Sequence, residues 1–536
     1  MLAAILLGLA LLSFGQGPEG QGRRQQPGQA QGSGQQPTTT TTTTTTTQPG
    51  TQTTQQRPPQ ERPSPSPVPE ETPVVTHHSI NVGGKELRYT ATVGMMPIKN
   101  REGETEARIF FMAYTLDGVG DRSARPLTFS FNGGPGSASV WLHLGAIGPK
   151  RVPMNADGSM PPPPYRLVDN QATWLDQTDL VFIDPVGTGY SRTVRPEASR
   201  FFGLNGDIES VGEFIRMYLV RYERWTSPLF LAGESYGTTR ASALSGYLID
   251  RGIAFNGIVL ISTIMNFETT DFAAGNDLAY IMFLPSYAAT AWYHKKLPRD
   301  LQSKSVHQVA TEAEQWAANE YALALAKGDR LTGQERTDVI AKLSRYTGLD
   351  KTFIDNANLR VSLTFFRKEL LRDEKRSIGR LDARFKGFDS SYVTAGPDFD
   401  ASEAAIRPPY TSTFNNYVRS ELGFKSDLEY FILGGGITSP WNWGTNNGYV
   451  DTSVALRNAL AKNPYLKVFV AMGYYDMATP YFAVDYTLHH ISLDPALLRN
   501  ISVDHYEAGH MMYIDEKSLA KLRADVGKFM QDATNR

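Results

Sequence analysis

A chain of 536 residues, 41% hydrophobic and 11% aromatic, carries enough apolar side chain to bury a sizeable core. At ~100–200 residues per domain, such a length permits two to four domains. Its 53 basic and 55 acidic residues leave a net charge of −2, which excludes the polycationic character that nucleic acid or an anionic membrane surface would require. The absence of cysteine excludes disulfides, thiolate metal sites and cysteine nucleophiles, but it does not fix the compartment, because a core of this size can do without disulfide staples.

Residues 1–12 form an apolar run that is shorter than the ~20 residues a membrane-spanning helix needs. With Ser13-Phe14-Gly15 as a small-x-small cleavage site, residues 1–15 read as a signal peptide, despite the lack of an early positive charge; the alternative is a buried N-terminal helix. Export to the periplasm or the exterior follows, with no stable membrane insertion after cleavage. Residues 16–75 are rich in Gln, Gly, Pro and Thr and include the run Thr38 to Thr47. They have almost nothing to bury and are expected to form a disordered linker, either a spacer or a tolerated expansion.

The folded body is expected from residue 76. Residues 86–93 and 107–114 alternate as opening strands, and residues 125–131 form a third that runs into Asn132-Gly133-Gly134-Pro135-Gly136. A Gly-Gly turn at the end of a strand frees backbone N–H groups to point into a site, as an oxyanion hole requires; the structural alternative is a simple tight turn. It is not a phosphate loop, because the lysine and serine that should follow the glycines are missing. Residues 180–184 form a buried strand leading into another glycine-rich loop, where Asp184 reads as part of a connection. Asp207 is a candidate N-cap for a helix whose apolar residues recur at helical spacing through residue 222. The next apolar run ends at Gly233-Glu234-Ser235-Tyr236-Gly237, which fits G-x-S-x-G, the strand-to-helix turn that lifts a serine hydroxyl above a sheet. A helix over 238–250 and a strand over 257–261 complete the context that motif needs.

Between residues 266 and 449 the strand–helix rhythm is lost, and helices are expected over 305–327 and 332–346. The segment reads as a cap or insertion over the active-site end of the sheet, its aromatic residues either lining a substrate pocket or filling the cap core. From residue 450 to 536 the core resumes with a helix over 452–463, a strand over 466–471 followed by Asp476, and a last strand over 501–505 leading to Gly509-His510. The architecture expected is therefore α/β, a mostly parallel central sheet flanked by helices in two parts, 76–265 and 450–536, with the helical cap between them.

The chain order Ser235, Asp476, His510 is the serine, acid, histidine order of α/β-hydrolases. Serine is a weak nucleophile until a neutral imidazole takes its proton, and the imidazole in turn needs a carboxylate to fix its tautomer. His505 continues the strand alternation and reads as a core residue, which leaves His510 on the loop beyond. No H-E-x-x-H or other metal constellation is present, and no cofactor is expected. The same triad would serve an esterase or acyltransferase; a non-catalytic binding protein of this fold is the reading from another class.

Phe131-Asn132-Gly133-Gly134-Pro135-Gly136, the segment 184–191, Gly233 to Gly237, the Asp476 loop and Ala508-Gly509-His510-Met511 together resemble the serine carboxypeptidase family, here in a bacterial-type secreted form. The motifs occur in the family's order across roughly residues 126–512. The resemblance implies an α/β-hydrolase fold and removal of the C-terminal residue of peptides through an acyl-enzyme on Ser235. It further implies His510 as general base then acid, Asp476 as its orienter, and the N–H groups of Gly134 and Tyr236 as oxyanion donors. Asn132 and Gly133 of the turn, with a protonated Glu234, would bind the free carboxylate of the substrate. Two positions depart from the family. Its second glutamate, in a Glu-x-Gly-Pro segment, is replaced by Ala146, and its usual cysteine by Ser137. Without a second carboxyl to share its proton, Glu234 is expected to lose some support for its neutral form, weakening the dependence on acidic pH or altering carboxylate recognition. Arg240 is either a substitute carboxylate anchor or an arginine facing solvent or the core edge.

Overall fold

The structure, a computed structural model, describes residues 71–194 and 199–534. The expected signal peptide and nearly all of the expected linker lie outside the described residues.

Nine strands form the spine of the sheet: β1 (Val74–Val82), β2 (Lys85–Lys99), β3 (Thr105–Leu116), β4 (Leu127–Phe131), β5 (Asp179–Asp184), β6 (Leu229–Ser235), β7 (Gly257–Thr263), β8 (Lys467–Gly473) and β9 (Ile501–Tyr506). Their spatial order is β1-β2-β3-β5-β4-β6-β7-β8-β9, and a short strand, Arg192–Thr193, pairs with β3. β1, β2 and β3 are antiparallel, with β3 also antiparallel to β5; every later pairing is parallel. The parallel strands are buried on both faces, which is why they read as continuous apolar runs rather than alternating ones.

Residues along each strand divide between two cores with period two. Leu229 and Leu231 of β6, Ile258 and Leu260 of β7, and Val468 and Val470 of β8 face one core. Phe230, Ala232, Val259, Ile261, Phe469 and Ala471 face the other. Eight helices matter for the site: α1 (Leu204–Arg221), α2 (Tyr236–Ile249), α3 (Leu278–Tyr293), α4 (Val306–Trp316), α5 (Gly333–Thr347), α6 (Ala401–Ser420), α7 (Ser453–Lys462) and α8 (Glu516–Thr534). The first core takes in α1, α2 and α7 together with α3, α4 and α5, and the second takes in α6 and α8. The helices between residues 266 and 449 thus bury their apolar faces in the same two cores as the sheet. No helix among the described residues is long and apolar enough to cross a membrane.

One local expectation is refined and one corrected. The helix expected over 305–327 runs from Val306 to Lys327 and widens into a single π turn at Ala317–Tyr321 between α4 and Ala322–Lys327. Asp207 is not an N-cap: α1 begins at Leu204 behind Gly203, and Asp207 lies within the first turn, buried and ion-paired to Arg240.

Candidate active site

Ser235 closes β6 and opens α2 with φ 61° and ψ −134°, a conformation that costs a non-glycine residue roughly 1–3 kcal/mol and clusters at functional sites. Glycine makes the turn feasible. A Cβ on Gly233 would lie 2.3 Å from the Gly237 carbonyl oxygen, and one on Gly237 2.9 Å from the Phe131 carbonyl oxygen. The serine, at the C-terminal end of an interior strand, is half-buried while its neighbours Glu234 and Tyr236 are fully buried.

Asp476 lies just beyond β8 and His510 beyond β9, and both residues are buried. His510 Nδ1 donates to Asp476 Oδ2 at 2.7 Å. The other carboxylate oxygen accepts from the N–H groups of Ala478 (2.7 Å) and Thr479 (3.0 Å), and the Thr479 hydroxyl donates to Oδ2 at 2.7 Å. With four donors the carboxylate is fully occupied, and with Nδ1 committed to it the imidazole is left to work through Nε2. Burial pulls the His510 imidazole down, but the Asp476 charge and hydrogen bond outweigh it and hold the ring above its ordinary value. β7 lies between the two halves of the site: Ser262 Oγ donates to the His510 carbonyl, and Thr263 pairs in register with Ser235. His505 stays on β9, stacked on Tyr474 at 5.5 Å with its Nε2 3.5 Å from Asp485.

The Asn132–Gly134 turn rests on the serine turn. A Cβ on Gly133 would come within 2.4 Å of the Tyr236 nitrogen, and Gly134 has φ 102°, which a side chain would strain. As the first residue of α2, Tyr236 has an N–H that the helix leaves unpaired. Beneath the turn, Arg240 donates through Nε to both oxygens of Asp207 (3.0 and 2.8 Å) and through Nη1 to the Asn132 carbonyl at 2.7 Å. Arg240 is therefore neither at the core edge nor free to anchor a substrate; it is 1% exposed and braces the turn from below.

Asn132 Nδ2 donates to Glu234 Oε1 at 2.9 Å, and Asn132 Oδ1 accepts from the Leu142 N–H at 3.1 Å. Glu234 is 3% exposed, and burial pushes its carboxyl up to about 7, against the opposing pull of His510, of the nearby Tyr513 hydroxyl and of the hydrogen bond from Asn132. The support lost at Ala146 is made up in another way: burial, with a smaller push from the Asp476 charge, holds the Glu234 carboxyl well above the ordinary carboxylate range without a paired carboxyl. Ala146 itself is buried, at 1% exposure.

Several positioning residues had no signal in the sequence. Thr479 has its hydroxyl within 3.0 Å of the Ser262 carbonyl as well as beside Asp476. From the segment between residues 266 and 449, Asp382 accepts from the Gly509 N–H (3.1 Å), the Leu381 carbonyl from the His510 N–H (2.6 Å), and the Arg380 carbonyl from the Met477 N–H (3.0 Å). Residues 380–382 thus tie the Asp476 and His510 loops together. Asp184, expected only to shape its own connection, reaches across to another segment: its Oδ1 accepts from the N–H and hydroxyl of Ser139, 45 residues earlier, just beyond the Asn132–Gly136 turn.

A family model described as serine carboxypeptidase matches residues 86–500. The chain belongs to the serine carboxypeptidase family. Among curated relatives, the pheromone-processing carboxypeptidase KEX1 of Saccharomyces cerevisiae is 30% identical over 155 residues, covering 27% of this chain and 20% of the yeast protein. Serine carboxypeptidase-like 45 of Arabidopsis thaliana is 26% identical over 272 residues, 45% of this chain and 56% of that one. The matched stretches therefore span a fifth to about half of these relatives' lengths. The crystal structure of a prohormone-processing carboxypeptidase from Saccharomyces cerevisiae superposes with a TM-score of 0.52 at 17% identity, covering 83% of this chain and 91% of the other. That likeness concerns the fold, an α/β-hydrolase fold.

Proposed function

We propose that this member of the serine carboxypeptidase family removes single residues from the C-termini of peptides through an acyl-enzyme on Ser235. His510 takes the serine proton at Nε2 as the hydroxyl attacks the scissile carbonyl, and Asp476 holds the ring and stabilises its charge. The N–H groups of Gly134 and Tyr236 receive the developing oxyanion, and His510 then returns its proton to the leaving amine. Water repeats the sequence on the ester. Asn132 and Gly133, with Glu234, receive the terminal carboxylate of the substrate. A neutral carboxyl donates to a carboxylate where an ionised one would repel it.

The single observation that carries the reading is the buried Asn132–Glu234 pair beside the triad, with the Glu234 carboxyl held up to about 7. An esterase needs only the triad and the oxyanion donors; a neutral buried acid poised next to the serine is what recognition of a free C-terminus adds. Residues 1–15 serve as the export signal in this reading, residues 16–75 as the spacer that follows, and the segment 266–449 as the part that limits substrate access. The test is mass spectrometry of an unstructured peptide incubated with the protein. Stepwise loss of single residues from the free C-terminus is expected, with the C-terminally amidated peptide left intact and Ser235→Ala inactive. Internal cleavage, or Ser235-dependent hydrolysis confined to simple esters, would replace the reading with an endopeptidase or an esterase.

A further inference from the structure

Three polar side-chain atoms in the wall behind the candidate carboxylate site are fully buried and lack a hydrogen-bond partner: Glu234 Oε2, the Tyr513 hydroxyl and the Tyr410 hydroxyl. They come from three separate elements, the serine turn, the short turn Met512–Ile514 after the catalytic histidine, and helix α6. The two tyrosines converge on Gly145, where an added Cβ would lie 2.4 Å from Tyr513 Cε2 and 2.6 Å from the Tyr410 hydroxyl oxygen. Only a glycine lets both rings reach this place. The Tyr513 hydroxyl approaches both the Glu234 carboxyl and the Asn132 side chain without completing a bond to either. Buried polar groups are almost always paired, and leaving one unpaired is costly, so a cluster of three beside the candidate site calls for an occupant or a shared proton.

We propose that Tyr513 is a positioning residue for Glu234: its phenol engages the free carboxyl oxygen of Glu234 and aims the acid at the terminal carboxylate of the substrate. The inference rests on the carboxypeptidase reading above. Asn132 fixes Oε1, and Tyr513 is the group placed to fix Oε2, so the two together determine the plane of the carboxyl and the direction of its proton. A phenol donates to an ionised carboxylate and so favours it, lowering the pH at which Glu234 loses its proton. The other charged and titratable groups acting on this carboxyl are His510, which also lowers it, and Asp476, which raises it. Tyr410 lies on the same wall, with Arg151 acting on its hydroxyl.

Tyr513→Phe keeps the ring against Gly145 and removes only the hydroxyl. On matched N-blocked dipeptides, the ratio of kcat/KM for the free acid over the amide is expected to fall about tenfold at pH 6, the worth of one such hydrogen bond. The alkaline limb for free acids should move up by about one pH unit, while ester turnover is unchanged. A merely structural role would lower acid, amide and ester turnover together and leave the limb in place, and that result overturns the proposal. A second readout is independent of turnover: infrared titration of the carboxyl band that disappears in Glu234→Gln. That band should titrate about one unit higher in Tyr513→Phe, and an unmoved band contradicts the contact. If the unaltered protein fails to distinguish acids from amides, the carboxypeptidase reading fails, and the infrared result still decides whether Tyr513 acts on Glu234.

Discussion

Replacing Glu234 by glutamine separates the two consequences of burying a carboxyl beside the triad. The group ordinarily titrates near 4.5 and is held up to about 7 here, chiefly by burial. At 1.36 kcal/mol per pH unit, that difference amounts to about 3 kcal/mol between the folded and unfolded chains. The sign follows from the direction: a group whose folded pKa is raised supports the fold fully below about 4.5 and loses that support as pH rises towards 7 and beyond. Glutamine never ionises, so relative to the unaltered protein Glu234→Gln should gain up to about 3 kcal/mol of stability between pH 4.5 and pH 8. Thermal melts at pH 5 and pH 8.5 should show Tm differing little at the lower pH and higher by a few degrees in the variant at the upper one. Activity gives the second consequence. With free-acid dipeptides, kcat/KM for the unaltered protein should fall as pH rises through about 7, whereas Glu234→Gln, which keeps an N–H donor at every pH, should lack that fall. A falling limb that persists at the same pH in the variant, or a stability difference that does not depend on pH, would refute the argument that burial sets the charge of Glu234.

Asp476→Asn should cost about 10³- to 10⁴-fold in kcat. All four hydrogen bonds to this carboxylate come from donors, so an amide NH2 must face either the backbone N–H groups of Ala478 and Thr479 or the Nδ1–H of His510. Steady-state kinetics checks this, and a loss below tenfold would contradict the assigned orientation. His143 is buried with Nε2 2.7 Å from the Tyr114 hydroxyl, its Nδ1 has no partner, and burial pulls it down to about 3. Its depressed value supports the fold above pH 6.5 and withdraws that support as pH falls towards 3, at about 1.4 kcal/mol per unit. His143→Phe should therefore shift the midpoint of acid unfolding, followed by circular dichroism, to lower pH; an unchanged midpoint would show that other groups set the acid limit.

The parts legible in the sequence were those written in local pattern. Buried parallel strands appear as short apolar runs, and the turns at Asn132–Gly136 and Gly233–Gly237 declare themselves through glycines that the geometry requires. What stayed hidden depends on partners far along the chain. Asp207 resembles a cap because acidic residues favour helix starts, yet its charge is used by Arg240, 33 residues away. The resulting ion pair, which holds the Asn132 turn, has no local signature. Thr479 and Asp382 act only because tertiary folding brings Ser262, Gly509 and the acid loop together. The absence of a second acid at Ala146 was readable, but the response to it was not: the charge state of Glu234 follows from the burial of its surroundings, and Tyr513 reaches it from beyond the histidine motif.

The most direct measurement of the central claim is kcat/KM for matched N-blocked dipeptides ending in a free carboxylate or in an amide, with Ser235→Ala as control. Free acids are expected to be preferred by at least about tenfold at pH 6, the worth of one hydrogen bond to the carboxylate, and Ser235→Ala to remove the activity on both. Equal turnover of acid and amide, with the same dependence on Ser235, would contradict that claim and leave a serine hydrolase that does not read the C-terminus.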